Sequence, residues 1–250
     1  MSKENDQPTM NRRQLIGGAI ATAGAVAIAP GVILHAVAGD GQAVKGASSE
    51  KRWGMVVDTN KCSDGCSACV DACNDEHNLT GFDRPATDAQ WIRTVKLKDK
   101  QTGHINRMVM MCQHCEFPPC VDVCPTNASF KRADGIVLVD RHSCIGCRYC
   151  MMACPYKARS FVHEVLQEQA VNAPRGKGCV EACTLCVHRV DAGKTTTACQ
   201  DACQKDGHAA IIFGDLNDPK SEISQVLKTN NSTQIRADLE LNTGVRYLNL

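Results

Sequence analysis

Apolar and polar residues alternate over several short stretches in the middle of the chain, a pattern that predicts β-strands. Residues 67–77 predict a helix that carries two cysteines. Between two of the strands, the pair Asp134-Gly135 predicts a tight hairpin turn. We expect strands at residues 53–58, 91–97, 105–111, 130–132, 136–140, 158–164 and 209–213.

The last part of the chain, residues 216–250, contains no cysteine. It predicts a short helix, followed by an extended end in which Ile235, Ala237, Leu239 and Leu241 alternate with polar residues. We expect this carboxy-terminal extension to pack on the body of the protein or on a partner subunit. The sequence leaves both possibilities open.

The amino terminus has the pattern of an export signal. The pair Arg12-Arg13 stands before a stretch rich in Ala and Gly that ends at Ala38. This is a twin-arginine pattern, and the closing Ala-Val-Ala supplies a cleavage site of small residues. We therefore expect a twin-arginine signal peptide over 1–38, a linker over 39–51 and a periplasmic protein. The alternative is a retained membrane anchor, because about twenty apolar residues can span a bilayer.

Composition indicates that large rings do not organise the interior. The chain has 250 residues and is 43% apolar, but only 4% of it is aromatic, while 17 residues are cysteine. A cofactor that cross-links many segments can stabilise such a chain, because its binding free energy becomes folding free energy. We expect the chain without its cofactor to be poorly folded. The net charge of +1, without any run of Lys and Arg, gives no support for nucleic-acid binding.

All but one of the cysteines fall into four groups of four. The first group is Cys62, Cys66, Cys69 and Cys73; the second is Cys112, Cys115, Cys120 and Cys124; the third is Cys144, Cys147, Cys150 and Cys154; and the fourth is Cys183, Cys186, Cys199 and Cys203. The first three groups are tight. In the fourth group, twelve residues separate the second cysteine from the third.

The third group has the spacing C-x2-C-x2-C-x3-C and is followed by Pro155. This is the run of bacterial ferredoxins, in which three cysteines bind one 4Fe-4S cluster and the fourth binds the neighbouring cluster. The same rule applied to all four groups predicts ligands that cross between groups. It also brings the two clusters of each pair close enough together for electrons to pass between them.

The crossing rule defines four sets of four ligands, one for each of four 4Fe-4S clusters. Set one is Cys62, Cys66, Cys69 and Cys203; set two is Cys73, Cys183, Cys186 and Cys199; set three is Cys112, Cys115, Cys120 and Cys154; and set four is Cys124, Cys144, Cys147 and Cys150. Sets three and four form an inner module over 105–164. Sets one and two form an outer module over 52–104 and 165–215. The fold class is therefore α+β, with duplicated bacterial ferredoxin-like modules around four clusters over 52–215.

The cysteines could also serve two other purposes. Zinc sites normally take two separated cysteine pairs, whereas most of these groups crowd four cysteines together. Disulfide bonds are a poor fit, because the cysteines are closely spaced and their total number is odd. Cys179 is left over, and we expect it to be a bystander thiol rather than a ligand.

Several polar residues stand near the predicted ligands. His114, His142 and His188 are expected to support the ligands or to lie on the surface. The basic residues could offset the negative charge of the clusters and raise their reduction potentials, or could be ordinary solvated side chains. They are Lys61, Arg141, Arg148, Lys157 and Arg189. No haem-attachment motif, P-loop or dinucleotide fingerprint occurs, so we expect an electron relay without its own catalytic site.

The cysteine groups resemble those of the four-cluster iron-sulfur subunits of the dimethyl sulfoxide reductase and polysulfide reductase type. The segments that carry the resemblance are CQHCEFPPCVDVCP, CIGCRYCMMACP and CTLCVHR, and the match extends over about residues 52–215. The resemblance implies the same crossing of ligands. One departure is the opening C-x3-C of the first group, where C-x2-C is commoner, which makes Cys62 the least secure ligand. Without it, that cluster would have three irons or another fourth ligand.

Three further segments, RWGMVVDTNKC, CRYCMMACPYKARSFVHE and FGDLNDP, resemble the DsrO-type subunits of the DsrMKJOP sulfur-metabolism complex. That resemblance implies two partners: an NrfD-type integral membrane subunit that interacts with quinone, and a periplasmic multihaem cytochrome c. Membrane association would then be peripheral, through the partners. Two alternatives stay open, an electron-transfer subunit of a molybdopterin reductase for polysulfide or sulfoxide, and a zinc-stabilised interaction module without a redox role.

Overall fold

The computed structural model of the protein describes residues 26–29, 32–34, 47–79, 81–103, 105–167 and 169–250. The chain separates into two compact units, Met1–Val44 and Lys45–Leu250. In the first unit, strands β1 (Val26–Ala29) and β2 (Val32–Leu34) pair in antiparallel fashion. The rest of the expected signal peptide over 1–38 lies outside the described residues.

The second unit mixes short strands and short helices. Its strands are β3 (Trp53–Asp58), β4 (Ile92–Lys98), β5 (Ile105–Met111), β6 (Ser129–Lys131), β7 (Val137–Val139), β8 (Ser160–Phe161), β9 (Val180–Glu181), β10 (Ile211–Asp215), β11 (Ser232–Thr233) and β12 (Val245–Leu248). Its α-helices are α1 (Ala68–His77), α2 (Pro119–Asp122), α3 (Tyr149–Ala153), α4 (Val187–Asp191), α5 (Ala198–Lys205) and α6 (Glu222–Thr229). Single turns of 3-10 helix occupy Thr59–Lys61 and Ala237–Leu239. The α+β class expected from the sequence is confirmed.

A four-stranded sheet forms the core of this unit, in the order β10-β3-β12-β11. Strand β3 lies between an antiparallel neighbour, β10, and a parallel one, β12. The alternating side chains of β3 leave Met55 and Val57 with no exposed surface, and Trp53 stacks on Phe213 with ring centroids 5.1 Å apart. The β-branched and aromatic residues predicted for these strands therefore build one face of an apolar core.

The carboxy-terminal extension packs on the body and completes the sheet. Strand β12 pairs with β3 from Val245 opposite Met55 to Leu248 opposite Asp58, and both Val245 and Tyr247 are fully buried. Helix α6 is present as expected. The prediction of an extended end around Ile235 to Leu241 is wrong in part. Ala237–Leu239 forms a 3-10 turn, and the flanking residues Arg236 and Glu240 have left-handed backbone conformations.

Hairpins connect the sheet to the cysteine groups. Strands β4 and β5 lie where the sequence predicts strands, and they pair without a break from Ile92 opposite Met111 to Lys98 opposite Ile105. This hairpin spans the boundary between residues 104 and 105, where we expect the outer module to end and the inner module to begin. The hairpin of β6 and β7 is also confirmed, and Gly135 in its turn has φ of +85°, which favours glycine. The strand expected over 158–164 contains only Ser160–Phe161.

Helix packing follows the cysteine groups. Helix α1 packs against α5, and α2 packs against α3. The Thr197 hydroxyl caps α5 by accepting the N–H of Gln200 at 3.4 Å. Within the described residues, no helix is both long enough and apolar enough to cross a membrane.

Candidate metal centres

The cysteines of set one line a single cavity. Cys62 follows the 3-10 turn at Thr59–Lys61 and Cys69 lies in the first turn of α1, while Cys203 comes from α5. The cavity is bounded by these three side chains and by Cys66. The packing of α1 on α5 therefore brings together cysteines more than 130 positions apart in the sequence.

Set two takes cysteines from the same helix pair, one turn further along α1 and one turn earlier on α5. Cys73 and Cys199 are buried on α1 and α5. Burial raises the pKa of the Cys73 thiol, and the thiolates of Cys199 and Cys186 raise it further. The pKa of Cys183 is raised in the same way, by burial and by the thiolates of Cys73 and Cys199. These four sulfurs therefore lie close enough together to interact.

Set three occupies the loops around α2 and α3. Cys112 follows β5, Cys120 lies in α2, and Cys154 ends α3. Burial raises the pKa of Cys115, as do the thiolates of Cys112, Cys120 and Cys154. The last cysteine of the third group thus lies with the second group in space.

Set four is the least buried. Burial raises the pKa of Cys150 on α3, and the nearby thiolates of Cys124 and Cys144 also raise it. Cys147 lies on the same loop and is the exposed cysteine of the seventeen, all of which lie in the described residues. Gly146 has φ of +70°, and a Cβ there would collide with the carbonyl oxygen of Gly178, so the loop conformation requires glycine.

Sixteen thiols in four compact sets fit iron-sulfur clusters. Burial and neighbouring thiolates raise the pKa of Cys69, Cys112 and Cys186 to about 12, so these thiols stay protonated unless a cation joins them. Iron supplies that positive charge, and tetrathiolate ligation is typical of 4Fe-4S clusters.

Buried donors without a protein partner lie beside the sets. They include His77 Nδ1, His114 Nε2 and Arg159 Nη1, and each is found among the described residues with no hydrogen bond. A buried polar group without a partner is costly, and the sulfides of a cluster would accept hydrogen bonds from such donors. These atoms therefore favour the same interpretation.

The histidines near the ligands have different environments. His114 is buried and accepts the N–H of Val137 at its Nδ1, and burial lowers its pKa to about 3, with a further contribution from Arg159. His188 pairs with Glu76 at 2.7 Å. His142 is exposed. His77, which the sequence patterns do not single out, lies at the end of α1 with its Nε2 3.7 Å from Cys186 Sγ.

The basic residues expected to offset cluster charge mostly have other partners. Lys61 pairs with Asp58 at 3.6 Å, and Arg189 pairs with Glu76 and Asp201. The guanidinium of Arg148 stacks on the ring of Phe161 at 3.8 Å. Arg141 and Lys157 are half-buried and exposed, respectively. Arg159, which the sequence patterns do not single out either, is the buried arginine that reaches a ligand sulfur.

Two other groups adjoin the sets. Cys179 donates to the carbonyl oxygen of Arg141 at 3.3 Å and lies beside Cys144. Cys66 lies 3.3 Å from Asp206, and with His208 these side chains could hold a metal ion. Since Cys66 belongs to set one, this trio is part of that site. Asp206 and His208 are thus the side chains available there should Cys62 not bind.

Fold and site together define an iron-sulfur protein, and comparison with known proteins agrees. Two models described as 4Fe-4S dicluster domain match residues 53–128 and 104–215. The chain is 43% identical to the Hdr-like menaquinol oxidoreductase iron-sulfur subunit 1 of Archaeoglobus fulgidus over 227 residues, covering 80% of this chain and 84% of that protein.

Two further relatives are each 35% identical to this chain. One is a putative iron-sulfur subunit of dimethyl sulfoxide reductase from Halobacterium salinarum, with 79% of each chain covered. The other is a sulfite dehydrogenase subunit from Allochromatium vinosum, with 78% of this chain and 81% of that protein covered. The chain belongs to this family of 4Fe-4S dicluster iron-sulfur subunits. It binds iron-sulfur clusters and is an electron-transfer subunit rather than a catalytic one.

Proposed function

We propose that the chain relays electrons through four 4Fe-4S clusters, held by sets one to four, between two partner subunits in the periplasm. The clusters supply one-electron redox chemistry, and the protein supplies their spacing, burial and charge environment. The proposal keeps all sixteen cysteines as ligands, Cys62 included.

The observation that carries the proposal is that the sets follow one another in a line. Cys69 of set one and Cys73 of set two belong to the same apolar core as Cys199. Cys183 of set two also packs against Cys112 of set three. Cys120 of set three and Cys150 of set four share a third small cluster of buried side chains. Neighbouring sets are therefore in contact, as a path for electron hopping requires.

The two ends of this line have different surfaces. At set four, the exposed Cys147 is flanked by Ile145, Tyr149 and Met152, which are 66%, 56% and 73% exposed. At set one, the ligands adjoin polar side chains, including Asp206 and His208. Exposed apolar side chains that lie together often mark interaction sites. A relay between two different partners is expected to have two different ends.

We further propose that the chain is a DsrO-type subunit of a sulfur-metabolism complex. Its partners would be an NrfD-type membrane subunit that interacts with quinone and a periplasmic multihaem cytochrome c. The names of the relatives support this, since one is a menaquinol oxidoreductase subunit and another a sulfite dehydrogenase subunit. The Arg12-Arg13 pair supports export with the clusters already inserted.

A second candidate function is that of electron-transfer subunit in a molybdopterin reductase of the sulfoxide or polysulfide type. The relative named as a dimethyl sulfoxide reductase subunit favours it. The clusters and their order would be unchanged, and only the partner would differ.

Metal analysis of the anaerobically purified protein tests the relay. We expect about sixteen iron atoms and as many acid-labile sulfides per chain, with negligible zinc. A zinc-bearing or metal-free folded protein would overturn the proposal. Copurification of the intact complex then separates the two candidates: c-type haem together with a quinone-interacting membrane subunit supports the first, and molybdopterin supports the second.

A further inference from the structure

Arg159 lies buried between the two inner sites. Only 6% of it is exposed, and its Nη2 donates to Cys120 Sγ at 3.1 Å and to Ser129 Oγ at 2.7 Å. Cys120 belongs to set three. The backbone N–H of Ser129 donates to Cys124 of set four at 3.3 Å. Ser129 therefore bonds directly to a set-four ligand and, through Arg159, is linked to Cys120 of set three.

The charge of Arg159 has no carboxylate partner among the described residues. By contrast, the buried Arg175 pairs with Glu181, and the half-buried Arg132 pairs with Asp134. A buried guanidinium without a counter-ion is strongly destabilising. The sulfur nearest to this charge is that of Cys120 in set three, and Cys120 shares a buried cluster with Cys150 of set four.

We propose that Arg159 raises the reduction potentials of the two inner clusters, those held by sets three and four, by donating hydrogen bonds to ligand sulfur and by its positive charge. The inference rests on the ligand sets proposed above. Reduction adds one electron, and so one negative charge, to a cluster without breaking a bond. A fixed positive charge nearby stabilises the reduced form more than the oxidised form.

Ser129 fixes the orientation of this charge. It is buried at the start of β6, and its hydroxyl accepts the hydrogen bond from Arg159 Nη2. The β6–β7 hairpin thereby holds the guanidinium against Cys120. Arg159 Nη1 has no protein partner among the described residues and is available to a cluster sulfide.

The test compares Arg159→Gln with the wild type by redox titration, followed by electron paramagnetic resonance. We expect two of the four reduction potentials to fall, each by at least about 59 mV. For a one-electron couple, this shift corresponds to a tenfold change in the reduced-to-oxidised ratio. The two outer clusters serve as the internal reference. Unchanged potentials, or an equal fall in all four, would overturn the proposal. Iron and sulfide content, measured on the same sample, tests the ligand sets separately.

Arg148→Gln is the matched control, because it removes the same charge beside Cys147 but at an exposed position. We expect a smaller shift that largely disappears in 1 M salt, whereas the shift in Arg159→Gln persists, since salt screens buried charges poorly. Equal shifts and equal salt dependence in the two variants would contradict a specific role for Arg159.

Arg159→Lys covers the case in which the glutamine variant fails to assemble. Lysine keeps the charge but loses the planar fork that serves Cys120 and Ser129 together. We expect it to load four clusters and to lower the two inner potentials by less than glutamine would. Normal potentials in this variant would overturn the hydrogen-bond contribution. Loss of iron from both variants would assign Arg159 to assembly and overturn the proposal.

Discussion

The sheet and the inner cysteine region, residues 112–164, are organised by different means. In the sheet, Met55, Val57 and Tyr247 have no exposed surface, and β12 pairs with β3 in parallel. In the inner cysteine region, strands of two or three residues surround small buried clusters in which half of the residues are cysteine. Four ligand cysteines of sets one and two also join the core of the sheet, but most of that core is apolar. Apolar packing therefore contributes most to the sheet, whereas sulfur ligation has to hold the inner region.

Iron removal should produce the largest difference between these two regions. Because metal binding contributes folding free energy where apolar packing is scarce, the inner cysteine region should unfold when chelation strips the iron. We expect amides of β6, β7 and α3 to lose hydrogen-exchange protection by at least about a hundredfold, while β3, β10 and β12 stay protected. Hydrogen exchange read by mass spectrometry measures both. A uniform loss across the chain would show that the sheet depends on the clusters equally.

A single ligand substitution should act within the inner region alone. Cys154→Ser is expected to remove or alter the set-three cluster, and so to resemble Cys115→Ser rather than Cys147→Ser in electron paramagnetic resonance of the reduced protein. Up to about one quarter of the iron should be lost. Cys179→Ser, outside all sets, is the control and should keep the full iron content. If Cys154→Ser resembled the set-four variant instead, the ligands would not cross.

The comparison also explains how much the sequence could predict. The β6–β7 hairpin and β3 were predictable because alternation and an Asp-Gly turn are local features of the chain. The presence of iron-sulfur clusters was predictable because ligand spacing is dictated by the geometry of a cluster, whereas the assignment of the cysteines to four ligand sets stays a prediction. Neither kind of prediction depends on which distant segments of the chain pack together in the fold.

Non-local partners were not predictable. Strand β12 has only four residues, and nothing within Val245–Leu248 indicates that it pairs in parallel with β3. Distance to a cysteine in the sequence misjudges the two arginines, because Arg159 comes five positions after Cys154 whereas Arg148 is next to Cys147. One is buried against Cys120 and the other stacks on an exposed edge of the site. Burial, rather than spacing, distinguishes them.

Truncating the side chain of Tyr247, in the carboxy-terminal extension, should destabilise the sheet and leave the clusters intact. Tyr247 is fully buried and its hydroxyl donates to the carbonyl oxygen of Val109 at 3.0 Å. We expect Tyr247→Ala to destabilise β3 by about 3–5 kcal/mol, from lost packing and a cavity. Tyr247→Phe, which loses only the hydrogen bonds, should cost about 1–2 kcal/mol. Native-state hydrogen exchange of β3 amides measures both, and unchanged iron content is the control.

The smallest effect is expected where an apolar side chain of the inner region faces outward. Met152 is 73% exposed, whereas Met55 in β3 is completely buried. Met152→Ala should change stability by no more than about 0.5 kcal/mol, while Met55→Ala should cost about 2–5 kcal/mol. If the apolar side chains around Cys147 serve a partner subunit, the first variant should instead slow electron transfer within the assembled complex at unchanged cluster potentials. A marked loss of stability in Met152→Ala would mean that this surface contributes to folding, and the contrast between the two regions would then fail.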